Sequence, residues 1–224
     1  MDSIKNLLQS NNYFLNELQL ESLQKLERAF SENKNKVITD QAGLGKRVTL
    51  VNFLNLLQLK YQFDGPYLII TKAERLSHWA YLIQKWTKME LLIYEDEDGQ
   101  SGLEAIRRWC IYRMDVTERG RLTERNKVLQ FQVIVTTYER VMDYEDFLLR
   151  ELPFVQVIVD DADIEAHRLA IKRIPCKRVI CSTSNVMPQG ISYLKRYINC
   201  IDPEFHFTQD LQTDQIIDRI SSFE

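Results

Sequence analysis

The amino-acid sequence predicts an α/β doubly wound domain, a parallel sheet with helices on both faces. Three observations predict it. The strand-like runs are four to six residues long, rich in Val and Ile, and lack the alternation of a half-exposed strand. Helical patterns separate them, as parallel connections require. Lys36 to Lys46, K-V-I-T-D-Q-A-G-L-G-K, reads as an apolar strand entering a glycine turn that ends in lysine and opens a helix.

In chain order, Leu7, Phe14, Leu15, Leu18, Leu20, Leu23, Leu26 and Phe30 predict helical segments broken near Asn11 and Asn12. Asn33 to Asn35 form a turn before a strand over Lys36 to Thr39. Val48, Leu50, Val51, Phe53, Leu54, Leu56 and Leu57 mark a buried helix after the glycine turn. Asp64-Gly65-Pro66 is a turn, and Tyr67 to Ile70 a buried strand. Glu74 to Lys88 is helical, with Leu76, Trp79, Leu82, Ile83 and Trp86 inward. Leu91 to Tyr94 is a short strand, Glu95 to Gly102 an acidic loop and Leu103 to Met114 a helix. Asp115 to Lys127 is charged throughout and is expected to be an exposed excursion. Strands follow at Phe131 to Val135, Val155 to Val159 and Arg178 to Cys181, with helices at Tyr144 to Glu151 and Ile191 to Ile198. No linker divides the chain, so residues 1–208 are expected to be one lobe and 209–224 a polar tail.

The 224 residues carry a net charge of −3, so no global basic field advertises nucleic acid. Cys110, Cys176, Cys181 and Cys200 have no metal-ligand spacing, and the chain is expected to be intracellular and reduced. His78, His167 and His206 are scattered, and no metal site is expected. No apolar run reaches the length of a membrane span, and no membrane partner is expected.

The glycine turn carries phosphate chemistry. Glycines let backbone N–H groups turn toward an anion, the helix start adds partial positive charge, and Lys46 reaches outer phosphates. Such loops place a Ser or Thr hydroxyl on Mg²⁺ directly after the lysine. This chain has Arg47 there. Val157-Ile158-Val159-Asp160-Asp161 is a buried strand ending in two carboxylates, which either faces a metal or caps the next helix.

The order of these motifs resembles the first ATPase lobe of Swi/Snf-type chromatin-remodelling and DNA-translocating proteins. Leu15 to Leu23 is similar to the family's opening, with Gln19 at the adenine-reading glutamine. Asp40-Gln41-Ala42-Gly43-Leu44-Gly45-Lys46-Arg47 resembles the phosphate loop D-E-x-G-L-G-K-T. Leu68-Ile69-Ile70 running to Leu76-Ser77-His78-Trp79 resembles L-I-V-x-P-x-S-x-L-x-x-W, and Val133 to Glu139 matches V-I-[IV]-T-[TS]-Y-E. Asp160-Asp161-Ala162-Asp163 falls on the D-E-A-H box, Cys181 to Pro188 on the third motif, and Asp202 to Phe205 on the closing segment.

The resemblance implies a RecA-like lobe. It implies nucleotide contacts at Gln19, Asp40, Gly43, Leu44, Gly45, Lys46 and Arg47. It implies weak DNA-backbone contacts at Ser77, His78, Trp79, Thr136, Thr137 and Tyr138, although Trp79 and Tyr138 read equally as core. It also implies nuclear localisation, and ATP or ADP as the ligand.

The departures weaken the catalytic expectation. Arg47 replaces the metal-binding Thr, so Mg²⁺ is not expected. Arg47 either donates to a phosphate oxygen or turns inward onto Asp160 or Asp161. Asp161 stands for the water-orienting Glu and falls about 1 Å short, a misplacement that can cost roughly a hundredfold in rate. Asp163 replaces the His, and the Gly-Thr-Pro core of the third motif is gone. The family's second lobe, whose arginines are worth about 10³–10⁵ in related enzymes, has no counterpart in these residues. Asp160 and Asp161 are therefore read as vestigial, and the lobe as an inactive protein-interaction module at chromatin. The alternative is the ATP-binding half of a DNA-dependent translocase that needs a second lobe from elsewhere.

Overall fold

The computed structural model describes residues 4, 6–8, 14–38, 43–95, 110–116, 122–129, 131–142, 149, 152–160, 174, 176 and 178–182. Helix α1 (Glu17–Ser31) opens on a capping box. The Asn16 side chain accepts from the Gln19 N–H at 2.8 Å, and the Gln19 side chain accepts from the Asn16 N–H at 3.1 Å. Strand β1 (Lys36–Ile38) follows, then helix α2 (Lys46–Tyr61), strand β2 (Tyr67–Thr71), a single 3₁₀ turn at Ala73–Arg75 and helix α3 (Leu76–Trp86). Strand β3 (Leu91–Tyr94), a hairpin of β4 (Cys110–Val116) and β5 (Leu122–Leu129), strand β6 (Val133–Thr137), short helix α4 (Tyr138–Met142), and strands β7 (Gln156–Asp160) and β8 (Val179–Ser182) complete the described chain.

The main sheet has six strands, in the order β1-β8-β7-β2-β6-β3, and every pairing is parallel. Strand β1 is followed in sequence by β2, yet β8 and β7 lie between them. That jump leaves the carboxyl ends of β1, β8 and β7 beside one another, the usual position of a ligand crevice in an open parallel sheet. β2, β6 and β7 are buried at all five positions, which explains why their sequences do not alternate.

Successive residues of these strands divide between two cores. Tyr67, Ile69, Val133, Val135, Ile158 and Ile180 pack with α1, α2 and α3. Leu68, Ile70, Ile134, Val157, Val159, Val179 and Cys181 pack on the other face with Tyr138 and Val141 of α4. The two-residue period thus becomes one core per face. α2 lies almost wholly inside: Leu50 to Leu57 are all buried, and Val48 is partly so. Leu76, Trp79, Leu82 and Ile83 are the buried face of α3, and Trp86 packs at its margin. Cys181 is buried and Cys176 half-buried; burial pushes the Cys176 thiol up against the opposing effect of its hydrogen bonding to Arg178.

The hairpin corrects one expectation: Cys110 to Met114 is strand, not the end of a helix. Within the charged excursion, Leu122 to Lys127 is paired strand. The pairing is antiparallel, with a register shift between Arg113 and Met114 that leaves Arg125 as an extra residue. The hairpin forms its own two-stranded sheet, apart from the main one. Of the expected helix at Tyr144 to Glu151 only Leu149 is described, and it is helical; the one at Ile191 to Ile198 lies outside the described residues. The polar tail and the closing segment, Asp202 to Phe205, do too.

Candidate functional site

Gly43 and Gly45 both adopt positive φ, +94° and +81°. Gly45 is the N-cap of α2, so the chain turns from the loop directly into the helix. A Cβ on Gly45 would meet Gln19 Nε2 at 2.5 Å, so the first turn of α1 lies directly against the loop. The Gln19 side chain is therefore engaged twice, by its carbonyl in the α1 cap and by its amide against Gly45.

Asp160 ends β7 with its side chain 2% exposed. Three donors converge on its Oδ2: Arg47 Nε at 2.7 Å, the Trp79 indole N–H at 2.8 Å and the Thr71 hydroxyl at 3.3 Å. The Tyr138 hydroxyl donates to the Asp160 backbone carbonyl at 2.8 Å. The carboxylate thus ties together the first turn of α2, the end of β2 and α3, and the backbone carbonyl of the same residue holds α4. A carboxylate buried to this degree needs a compensating charge and donors, and Arg47 supplies both. Of the two expected orientations of Arg47, the structure shows the inward one, with Asp160 as its partner.

The ion pair forms one wall of a cleft of ≈ 370 Å³. Gly43, Gly45, Lys46 and Val48 line it from the loop side, Arg75, His78 and Leu82 from the α3 side, and Ser182 from the end of β8. Arg75 was missed by the sequence reading, and His78 was read only as a residue near DNA. The position of both just after a parallel strand was the available signal.

The expected DNA-backbone set divides. Ser77 and His78 are exposed. Trp79 and Thr136 are fully buried, and Thr137 and Tyr138 nearly so. The Thr136 hydroxyl donates to the Tyr94 carbonyl at 2.6 Å, and Thr137 Oγ1 accepts from the Arg140 N–H at 3.3 Å. Trp79, Thr136, Thr137 and Tyr138 therefore face protein in this structure, because their polar atoms satisfy partners that burial would otherwise leave unpaired. Leu44 is exposed at the loop tip. Asp40, Asp161 and Asp163 lie outside the described residues.

The described residues do not make a site for a divalent cation. Asp160 Oδ2 already accepts three hydrogen bonds, and a guanidinium stands at the position from which a hydroxyl would ligate a metal. An anion fits better, because the turn glycines, Lys46, Arg47 and Arg75 all border the same space.

The SNF2-related domain family matches residues 15–185. Protein CHROMATIN REMODELING 5 of Arabidopsis thaliana is 27% identical over 199 residues, covering 84% of this chain and 11% of that protein. Chromodomain-helicase-DNA-binding protein 7 of Homo sapiens is 25% identical over 230 residues, covering 95% and 7%. The ATP-dependent DNA helicase DDM1 of Arabidopsis thaliana is 26% identical over 209 residues, covering 88% and 24%. The chain thus spans a quarter or less of the length of these relatives. In structure it is similar to the Sulfolobus solfataricus SWI2/SNF2 ATPase core in complex with dsDNA, with a TM-score of 0.64 at 16% identity, covering 85% of this chain and 36% of that one. A match over residues 15–185 takes in the glycine loop, the Asp160 strand and all six strands of the main sheet, and the chain belongs to the SNF2-related domain family, with a Swi/Snf-type helicase-like fold.

Proposed function

We propose that this Swi/Snf-type lobe does not hydrolyse ATP and acts as a nuclear protein-interaction module at chromatin. The Arg47–Asp160 ion pair carries the reading. It joins the two motifs between which an active site of this type would hold its metal, and it uses the Asp160 oxygen for internal bonds. The shorter Asp161 in place of Glu supports the same reading.

The interaction role draws support from exposed apolar residues around the loop. Phe14 just before α1, Leu18 in its first turn and Leu44 in the loop are all exposed. The approach of Gln19 to Gly45 brings the two segments together. The three relatives named above carry names of chromatin-remodelling or DNA-helicase proteins, which favours chromatin as the setting.

Phosphate release, measured with and without duplex DNA, should not exceed that of Lys46→Ala. Turnover that disappears in Lys46→Ala overturns the reading. Crosslinking and sizing against Leu18→Asp check the interaction half: partner contacts unchanged by that substitution remove this surface from the proposal. The second reading is the ATP-binding half of a DNA-dependent ATPase completed by another lobe. The open cleft beside Lys46 favours it, and the same phosphate-release assay decides between the two.

A further inference from the structure

The poor fit of a metal has a counterpart in the fit of an anion. Arg47 gives its Nε–H to Asp160, and no bond from its two terminal nitrogens is found among the described residues. A guanidinium carries five N–H donors in a planar fork, so four remain on its two terminal nitrogens. Arg47 is partly exposed and is one of the residues lining the cleft. Among the described residues, that space is lined by three cationic side chains, Lys46, Arg47 and Arg75, together with His78, and by one carboxylate, whose Oδ2 accepts three hydrogen bonds. The walls come from two separate elements, the loop with α2 and the start of α3, with Ser182 adding a hydroxyl between them.

We propose that the Arg47 guanidinium stands in for the divalent metal, so that this cleft takes a polyphosphate group without its metal. The proposal rests on the non-hydrolysing reading and extends it to the ligand. In a metal-dependent loop the cation bridges the strand-end carboxylate and the outer phosphates. Arg47 has the same two-sided geometry, one edge on Asp160 and the other toward the cleft, and it is covalently fixed. A metal ion brought in with the ligand would sit against the positive charge of Arg47. A bare polyphosphate meets three cations and the backbone N–H groups of the turn.

The test is thermal unfolding with inorganic tripolyphosphate as the probe, in chelator and in magnesium. Tripolyphosphate in chelator should raise the melting temperature by about 5 °C or more at a hundredfold excess over Kd. Magnesium should reduce the shift, and Lys46→Ala should remove it. Arg47→Thr should reverse the order, with stabilisation in magnesium and little in chelator. A wild-type shift that needs magnesium, a shift that survives in Lys46→Ala, or no shift in either condition overturns the proposal. The wild-type and Lys46→Ala arms decide the question even when Arg47→Thr does not fold. Tripolyphosphate binding is read without turnover, so this proposal and the absence of hydrolysis can fail separately.

Discussion

Asp160 is a carboxylate almost without solvent, and its stability depends on who faces it. Removing one member of a buried ion pair strands the other charge, at a cost of about 3 kcal/mol or more. Arg47→Met should therefore destabilise the fold by about that amount in urea unfolding. Arg47→Met combined with Asp160→Asn should recover a large part of the loss, because the asparagine amide can keep oxygen toward Trp79 without carrying charge. Equal stability of the single and double variants would show that Arg47 acts by packing alone. The sequence offered Arg47 two fates and Asp160 and Asp161 as equal partners. It could not rank them, because the choice depends on Trp79 and Thr71 arriving at the same oxygen from distant elements.

At the scale of the element, the turns decide more than the strands. Gly65 stands at φ +87° between α2 and β2, and a Cβ there would meet the Gln132 carbonyl oxygen at 2.5 Å. That oxygen also accepts from the Tyr67 N–H at 2.8 Å, so it cannot withdraw without loosening the start of β2. Gly45 also has positive φ, but its obstacle is the movable end of the Gln19 side chain. Gly65→Ala should thus cost more than Gly45→Ala, by about 1 kcal/mol or more in chemical denaturation. The reverse order would mean that the contact of α1 with the loop is the more rigid of the two.

The same scale shows what the sequence revealed and what it hid. β2, β6 and β7 were legible because strands buried on both faces read as unbroken Val/Ile runs. The β4–β5 hairpin was not, because charges in Leu122–Leu129 read as a solvated run and Cys110–Val116 was absorbed into a helical pattern. The α1 cap was legible in principle from Asn16 followed three residues later by Gln19. The resemblance assigns Gln19 to adenine, a role that draws on the same side chain as the cap.

For the whole molecule, the sheet order places the glycine loop, Asp160 and Ser182 at one edge, and sequence adjacency could never have supplied that. The expectation of a doubly wound fold held because it needs only the alternation of strands and helices. The cleft wall from Arg75 and His78 needed the tertiary fold. The net charge is −3, and of the residues expected at DNA, Trp79, Thr136, Thr137 and Tyr138 are buried. Any duplex binding should be weak, indifferent to sequence and lost between about 50 and about 200 mM salt, as titration of labelled duplex would show. Tight binding that persists at high salt would require a recognition surface other than these residues.

The hydrogen bond from the Trp79 indole to Asp160 turns the lobe into its own optical sensor. Indole emission responds to nearby charge and to the strength of the bond at its N–H. Trp79 is fully buried, so bulk water does not quench or blur that response. With Trp86 and Trp109 replaced by Phe, the remaining emission would come from a ring in direct contact with the carboxylate that Arg47 holds. A ligand that draws the guanidinium away from Asp160 would change the colour of that light, and one that leaves the pair intact would not. The lobe thus carries, without any added label, a readout of whether its central ion pair is closed or open.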